Sequence, residues 1–201
     1  MRLPAPARQR GGGTVTIEEA GSAELDDLFD RLDQRHIPEG YKVEIVEGTI
    51  CMARQRGTHR ETLTDIYEQL RTRYPRKRLL SDVRIDFPGC LNGFAPGLVA
   101  LAEGATTNDK DQPRYQDIEF VAEVVSQGTA AHDYGPKKRA YALAEVPVYV
   151  VADPGAGRCR VFTRPQDGDH RADLTLAYGQ PIDLTDTVVD IALSTEEFPR
   201  D

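Results

Sequence analysis

Three cysteines in 201 residues, Cys51, Cys90 and Cys159, stand apart with no CxxC spacing. An odd, scattered set supplies no disulfide framework and fits a reducing cytoplasm. The four histidines are isolated too, so no Cys/His metal cluster is visible. No run approaches the roughly 18 apolar residues of a bilayer span, and no membrane partner is expected. The basic start MRLPAPARQRGGG leads into no apolar stretch, which sets aside a secretory signal. No Gly-rich phosphate loop is present to support a small-molecule-binding α/β protein. Ser126 has no nucleophile-elbow context and no His at a defined spacing, so serine chemistry lacks a basis.

What is present belongs to a globular chain. Hydrophobic residues make up 39% and charged residues 29%, and the length suits one domain with a substantial core. We expect a flexible tail over residues 1–21 and a single domain over residues 22–198. The net charge of -8 opposes general attraction to nucleic acid, whose backbone is bound by Lys and Arg. The distribution is uneven, however: residues 50–80 hold eight basic and three acidic side chains, whereas residues 151–201 hold five and ten.

Along the chain, Ser22 caps an expected helix that turns Leu25, Leu28, Phe29 and Leu32 inward at helical spacing. A turn at residues 36–40 precedes a hairpin, in which Tyr41, Val43 and Ile45 alternate with polar residues and Glu47-Gly48 makes the bend. Glu44 falls on the polar face of the first strand. Residues 59–73 read as a second amphipathic helix with Leu63, Ile66, Tyr67 and Leu70 inward and Pro75 ending it. His59 opens that helix, as a cap or as a base. Near its end Arg71, Arg73, Arg76, Lys77 and Arg78 surround Tyr74. Such a run serves a helix C-terminus as a solvated face, or it touches a phosphate backbone or an acidic partner. Val83, Ile85 and Phe87 alternate as a strand, and residues 98–101 form another beyond a turn at 88–97. A mixed central sheet is expected from these two, the 118–125 strand and the 148–151 strand. An antiparallel extension should follow through Arg160, Phe162, Leu174 and Tyr178, with an edge strand near Val188, Val189 and Ile191.

The stretch from 118 to 154, IEFVAEVVSQGTAAHDYGPKKRAYALAEVPVYVVADP, carries the chemistry. A β-branched run, with Glu119 near its start, encloses Glu123 between apolar neighbours. An ionised acid in apolar surroundings needs a cation, a metal or hydrogen bonds, so Glu123 is either paired with a base or a metal ligand. Asp133 suits the cap of the following helix, with Pro136 in its first turn. Lys137 and Tyr141, four apart, share the helix face that points at the end of the Glu123 strand. Pro147 stops the helix, and the next apolar run completes a βαβ unit whose strand ends open on a cleft.

The spacing of Glu123-Val124-Val125-Ser126, Asp133, Lys137 and Tyr141, followed by VPVYVVADP, resembles the Uma2 family, a bacterial group of putative restriction endonucleases. YKVEIVEGTI, His59 and APGLVAL resemble its earlier blocks in the same order, giving coverage from about residue 37 to 183. The resemblance implies an α/β (α+β) fold of the PD-(D/E)XK restriction-endonuclease-like type, a mixed β-sheet core flanked by helices. It further implies a nuclease centre in which an Asp after a Pro, a strand Glu and a Lys meet around Mg²⁺ or Mn²⁺. By that matching Glu123 is a metal ligand and Lys137, supplied by the helix because Val125 is apolar, is the basic group near the scissile phosphate. Glu44 matches an acidic position near the active site. DNA is the implied partner, and a protein partner or a homodimer is compatible with the family.

One departure matters most. The family's Pro-Asp is Pro96-Gly97 here, so the second metal-bridging carboxylate is missing. Mg²⁺ beside a phosphate is gripped by few protein oxygens, and losing one should weaken binding and activity severely. Gln127-Gly128 also replaces a Pro-Ser. Asp109 or Asp111 is a candidate substitute carboxylate, although a loop positions ligands less well than a strand. Two expectations follow: a pseudonuclease, inactive or weakly active, or an Mg²⁺-dependent DNA endonuclease that uses Glu123 and Lys137 with a substitute acid.

Overall fold

The computed structural model describes residues 17–34, 37–54, 56–125, 128 and 130–201. Most of the expected N-terminal tail, His36, Ser126 and Gln127 lie outside the described residues. No helix among the described residues is long and apolar enough to cross a membrane.

The apolar runs LVAL, IEFVAEV and VYVVAD form β6 (Leu98–Leu101), β7 (Ile118–Val124) and β8 (Val148–Asp153). Their side chains are buried on both faces, so these strands take the centre of a sheet. The sheet is completed by β3 (Leu79–Leu80), β9 (Arg158–Gln166) and β10 (Asp169–Ala177), in the order β10-β9-β8-β7-β6-β3. Only β7 and β8 run parallel, with Glu123 opposite Val151. The mixed sheet and its antiparallel β9-β10 extension are as expected from the sequence.

A second sheet, order β2-β1-β5-β4, lies over one face of the first. It holds β1 (Tyr41–Val46), β2 (Thr49–Arg54), β4 (Ile85–Phe87) and β5 (Asn92–Phe94). Glu47 and Gly48, at φ 48° and 74°, close the β1-β2 hairpin, and two successive positive φ values match the strand twist of a tight hairpin. The 83–87 strand therefore does not join the central sheet: Ile85 pairs with Phe94 of β5, and Val83 lies outside the strand and exposed. The reason is β5, hidden in a segment that reads as a turn. A Cβ on its Gly93 would come within 2.6 Å of the Phe29 ring, so the glycine permits close packing there.

Helices lie on both sides. α1 (Ile17–Asp33) begins ahead of Ser22 and buries Leu25 and Leu32 against Ile45. α2 (Gly57–Leu70) starts two residues before His59 and sets Ile66 and Leu70 on the opposite face of the large sheet, against Phe120, Ala122 and Val150. The C-terminal segment makes its own two-stranded sheet from β11 (Ile182–Asp183) and β12 (Ala192–Leu193). It adds no edge to the large sheet, because Ile182, Leu184, Val189 and Leu193 all pack into the core beside α2.

Removing most of the Ile66 side chain, fully buried at 0% exposure, is expected to cost about 2–5 kcal/mol in denaturant unfolding. Val83→Ala, at an exposed site, should change stability by less than about 0.5 kcal/mol.

Candidate functional site

Alternation along two strands brings the acids together. On β7, Val121 and Glu123 share one face, away from α2, and Val125 just beyond the strand continues it. On β1, Val43 and Ile45 pack toward α1, so Lys42, Glu44 and Val46 turn toward β7. Glu44 is thus buried, not on a solvated face. Between β7 and β8 the crossover runs as α3 (Ala130–His132), a π-helical turn over Asp133–Lys137, and α4 (Lys138–Leu143). Pro136 lies inside the turn and has no N–H to give an α-helical bond, which accounts for the wider winding. Asp133 consequently lies within the helical segment and does not cap it. The Tyr149 hydroxyl donates to its main-chain carbonyl at 3.0 Å, and its side chain turns inward with that of Lys137.

Five charged groups meet there. The Lys137 ammonium, 2% exposed, lies 2.5 Å from Glu123 Oε1, 3.1 Å from Glu44 Oε2 and 3.1 Å from Asp133 Oδ1. Tyr141 donates to Glu123 Oε1 at 3.0 Å. Lys42 Nζ donates to the Ala95 carbonyl at 2.8 Å and lies 3.4 Å from Glu123 Oε2 and 3.5 Å from Glu44 Oε1. The loop before β6 is stitched to the same acids, with Ala95 N donating to Glu44 at 2.9 Å and Gly97 N donating to Glu123 Oε2 at 3.2 Å.

Glu123, Glu44 and Asp133, with Asp82 acting on Lys42 from the cavity wall, outnumber the two ammoniums, and the excess is felt at Asp133. Burial alone would raise the Glu123 carboxyl, but Lys137 and Lys42 overcome it and hold it at about 2. Asp133 is pushed up to about 6, chiefly by burial, with Glu123 and Glu44 adding repulsion that Lys137 only partly offsets. Burial would lower Lys137, yet Glu123, Tyr141, Glu44 and Asp133 lift it well above the usual lysine range. Lys42 is raised in the same way: Glu123 and Glu44 outweigh burial and the nearby Lys137.

Glu123, Lys137, Glu44, Asp133 and Tyr141 are brought together, and position 97 lies beside them. A small cavity of about 50 Å³ lined by Lys42, Glu44, Asp82, Gly97, Glu123 and Lys137 opens past His59 and Leu63. His59 is half-buried, its Nδ1 has no partner, and burial lowers its pKa; the helix N-cap is Arg56. Arg71, Arg73, Arg76, Lys77 and Arg78 lie elsewhere. They follow the C-terminus of α2, about 18 Å along the helix from His59, where Arg71 donates to Tyr74 O and Arg78 pairs with Glu119. Asp109 and Asp111 flank Lys110, which pairs with Asp26 of α1, and neither lines the cavity. Sequence reasoning missed Lys42, Asp82 and the arginines beside the cavity, Arg54 and Arg56. Lys42 was within reach, since it stands two before Glu44 on an alternating strand.

The donor set does not fit a divalent ion. Both Glu123 oxygens already take two donors each, and Glu44 takes three, which leaves few of the roughly four lone-pair sites of a carboxylate open. Among the described residues no group of three or more His, Cys, Asp or Glu side chains is arranged to hold a metal.

A carboxyl raised in the folded state binds its proton more tightly there, so its ionisation subtracts stability as pH rises from about 4 to about 6. Asp133→Asn is therefore expected to gain on the native chain by about 2 kcal/mol between pH 4 and pH 7, read from urea unfolding at each pH. A constant difference across that window would contradict it.

The chain matches the Uma2 family, described as "Putative restriction endonuclease", over residues 26–196. No curated protein matches it. Among solved structures it is similar to one described as a putative nuclease belonging to DUF820 from Anabaena variabilis. That pair shares 13% identity at a TM-score of 0.65, over 87% of this chain and 96% of that one. At such identity the likeness shows the fold, which is restriction-endonuclease-like. With a family match over most of its length, the chain belongs to the Uma2 family.

Proposed function

We propose that this protein, one domain over residues 22–198 in the cytoplasm, is a degenerate nuclease. In this reading it keeps the cleft of a DNA endonuclease while phosphodiester cleavage is lost or weak. The observation that carries it is position 97. Where the family pattern has a carboxylate, a main-chain N–H donates to Glu123 at 3.2 Å. The space for a side chain is also tight, since a Cβ there would sit 2.9 Å from Leu63 Cδ1 and 3.2 Å from the Ala122 carbonyl, so that Leu63 would have to shift. A groove of about 430 Å³ leads outward from Gly97 past Asp82 and His59 to Arg56 and Arg60. These arginines suit a phosphate backbone, whose binding rests on cationic side chains.

Supercoiled plasmid incubated with the native chain and Mg²⁺ or Mn²⁺ is expected to stay intact. Gly97→Asp alone should cost about 1–3 kcal/mol of stability through overpacking, and Leu63→Ala in the same chain should relieve part of it. Nicking that appears in Gly97→Asp/Leu63→Ala, and vanishes with Glu123→Gln, supports the reading. Metal-dependent nicking by the native chain as fast as by Gly97→Asp/Leu63→Ala overturns it. Asp82→Asn then tests whether the aspartate lining the same cavity is the substitute acid.

A further inference from the structure

We propose that Lys42 is a built-in replacement for the divalent cation: its ammonium occupies the point where Glu44, Glu123 and the Ala95 carbonyl converge. The proposal rests on the reading of the cleft as a former nuclease centre and adds why that cleft folds without a metal.

Three oxygens from three segments surround Lys42 Nζ, the Ala95 carbonyl at 2.8 Å, Glu123 Oε2 at 3.4 Å and Glu44 Oε1 at 3.5 Å. A carbonyl and two carboxylates are the hard oxygen donors that a divalent ion takes. Here the carbonyl lies at hydrogen-bond distance from the ammonium and the two carboxylates at ion-pair distance, all wider than the roughly 2.3–2.6 Å of a bound calcium-sized ion. The same ammonium fixes the loop that leads to Gly97, since Ala95 gives its N–H to Glu44 and its carbonyl to Lys42. Lys137 shares Glu44 with Lys42, bonding both of its oxygens, but takes Oε1 of Glu123, so that Oε2 and the Ala95 carbonyl fall to Lys42. A metal ion entering between the two glutamates must first displace a charged side chain that is 14% exposed, and it gains no carboxylate from residue 97 in return. Lys42 and Lys137 thereby give the two glutamates cationic partners without a metal.

The test is calorimetric titration with MnCl₂ of the native chain, Lys42→Gln and Lys42→Ala, with Lys42→Gln/Glu123→Gln as the control. We expect weak Mn²⁺ binding by the native chain, at least about tenfold tighter binding by both single variants, and loss of that gain in the control, a free-energy step well within calorimetric resolution. Equal affinity in the native chain and the Lys42 variants overturns the assignment. So does a gain that survives in the control. Should both single variants fail to fold, recovery of their thermal transition on adding Mn²⁺ supports it and no recovery overturns it. Plasmid nicking by the native chain as fast as by Gly97→Asp/Leu63→Ala refutes the degenerate reading, whereas the titration contrast alone decides the role of Lys42.

Discussion

A lysine ammonium held almost without solvent between three carboxylates is the constraint on which this structure turns. Moving such charges out of water costs several kcal/mol per ion unless geometry and hydrogen bonds compensate closely. The compensation here draws on four segments: β1 supplies Lys42 and Glu44, β7 supplies Glu123, the crossover helix supplies Asp133, Lys137 and Tyr141, and the 95–97 loop supplies main-chain groups. The cluster therefore fastens the small sheet to the large one where their apolar layers end. Tyr141 joins the two environments, with its hydroxyl on Glu123 and its ring edge-on to Phe87 and Phe94 at 5.0 and 5.8 Å.

Much of this was legible beforehand because periodicity and chemistry agreed. Glu123, enclosed between apolar neighbours, demands a partner, and Lys137 and Tyr141, one helical turn apart, are the pair that the structure presents to it. The four apolar positions of α2 read inward, and they pack inward. Residues 118–154 needed only their own sequence, since a strand, a crossover and a parallel strand constrain one another.

What escaped depended on partners distant in sequence. Glu44 looked polar-faced from its strand alone, and the family resemblance put it near the active site; β7, some eighty residues later, makes that side an interior. Asp133 resembled a cap because an acid near a helix start usually is one, and the proline-induced π turn that carries it inward leaves no periodic trace. Asn92 and Gly93 read as turn residues, yet form a strand because a ring of α1 lies against the glycine. The run from Arg71 to Arg78 drew attention as a charge cluster, whereas the arginines near the cleft are dispersed through Arg54, Arg56 and Arg60.

Charge arithmetic links the two unusual positions. Compared with a centre that has an aspartate at 97 and a neutral residue at 42, this chain lacks one negative charge and carries one extra positive charge. The difference is two units, the charge that Mg²⁺ supplies. Glu44 and Glu123 are then neutralised by Lys42 and Lys137, leaving Asp133 and the cavity-lining Asp82 outside that balance, and the Asp133 carboxyl is raised to about 6. The glycine and the lysine are best understood together: an aspartate at 97 would leave another acid for Lys42 to balance, and a neutral residue at 42 would leave Glu44 and Glu123 short of a cation.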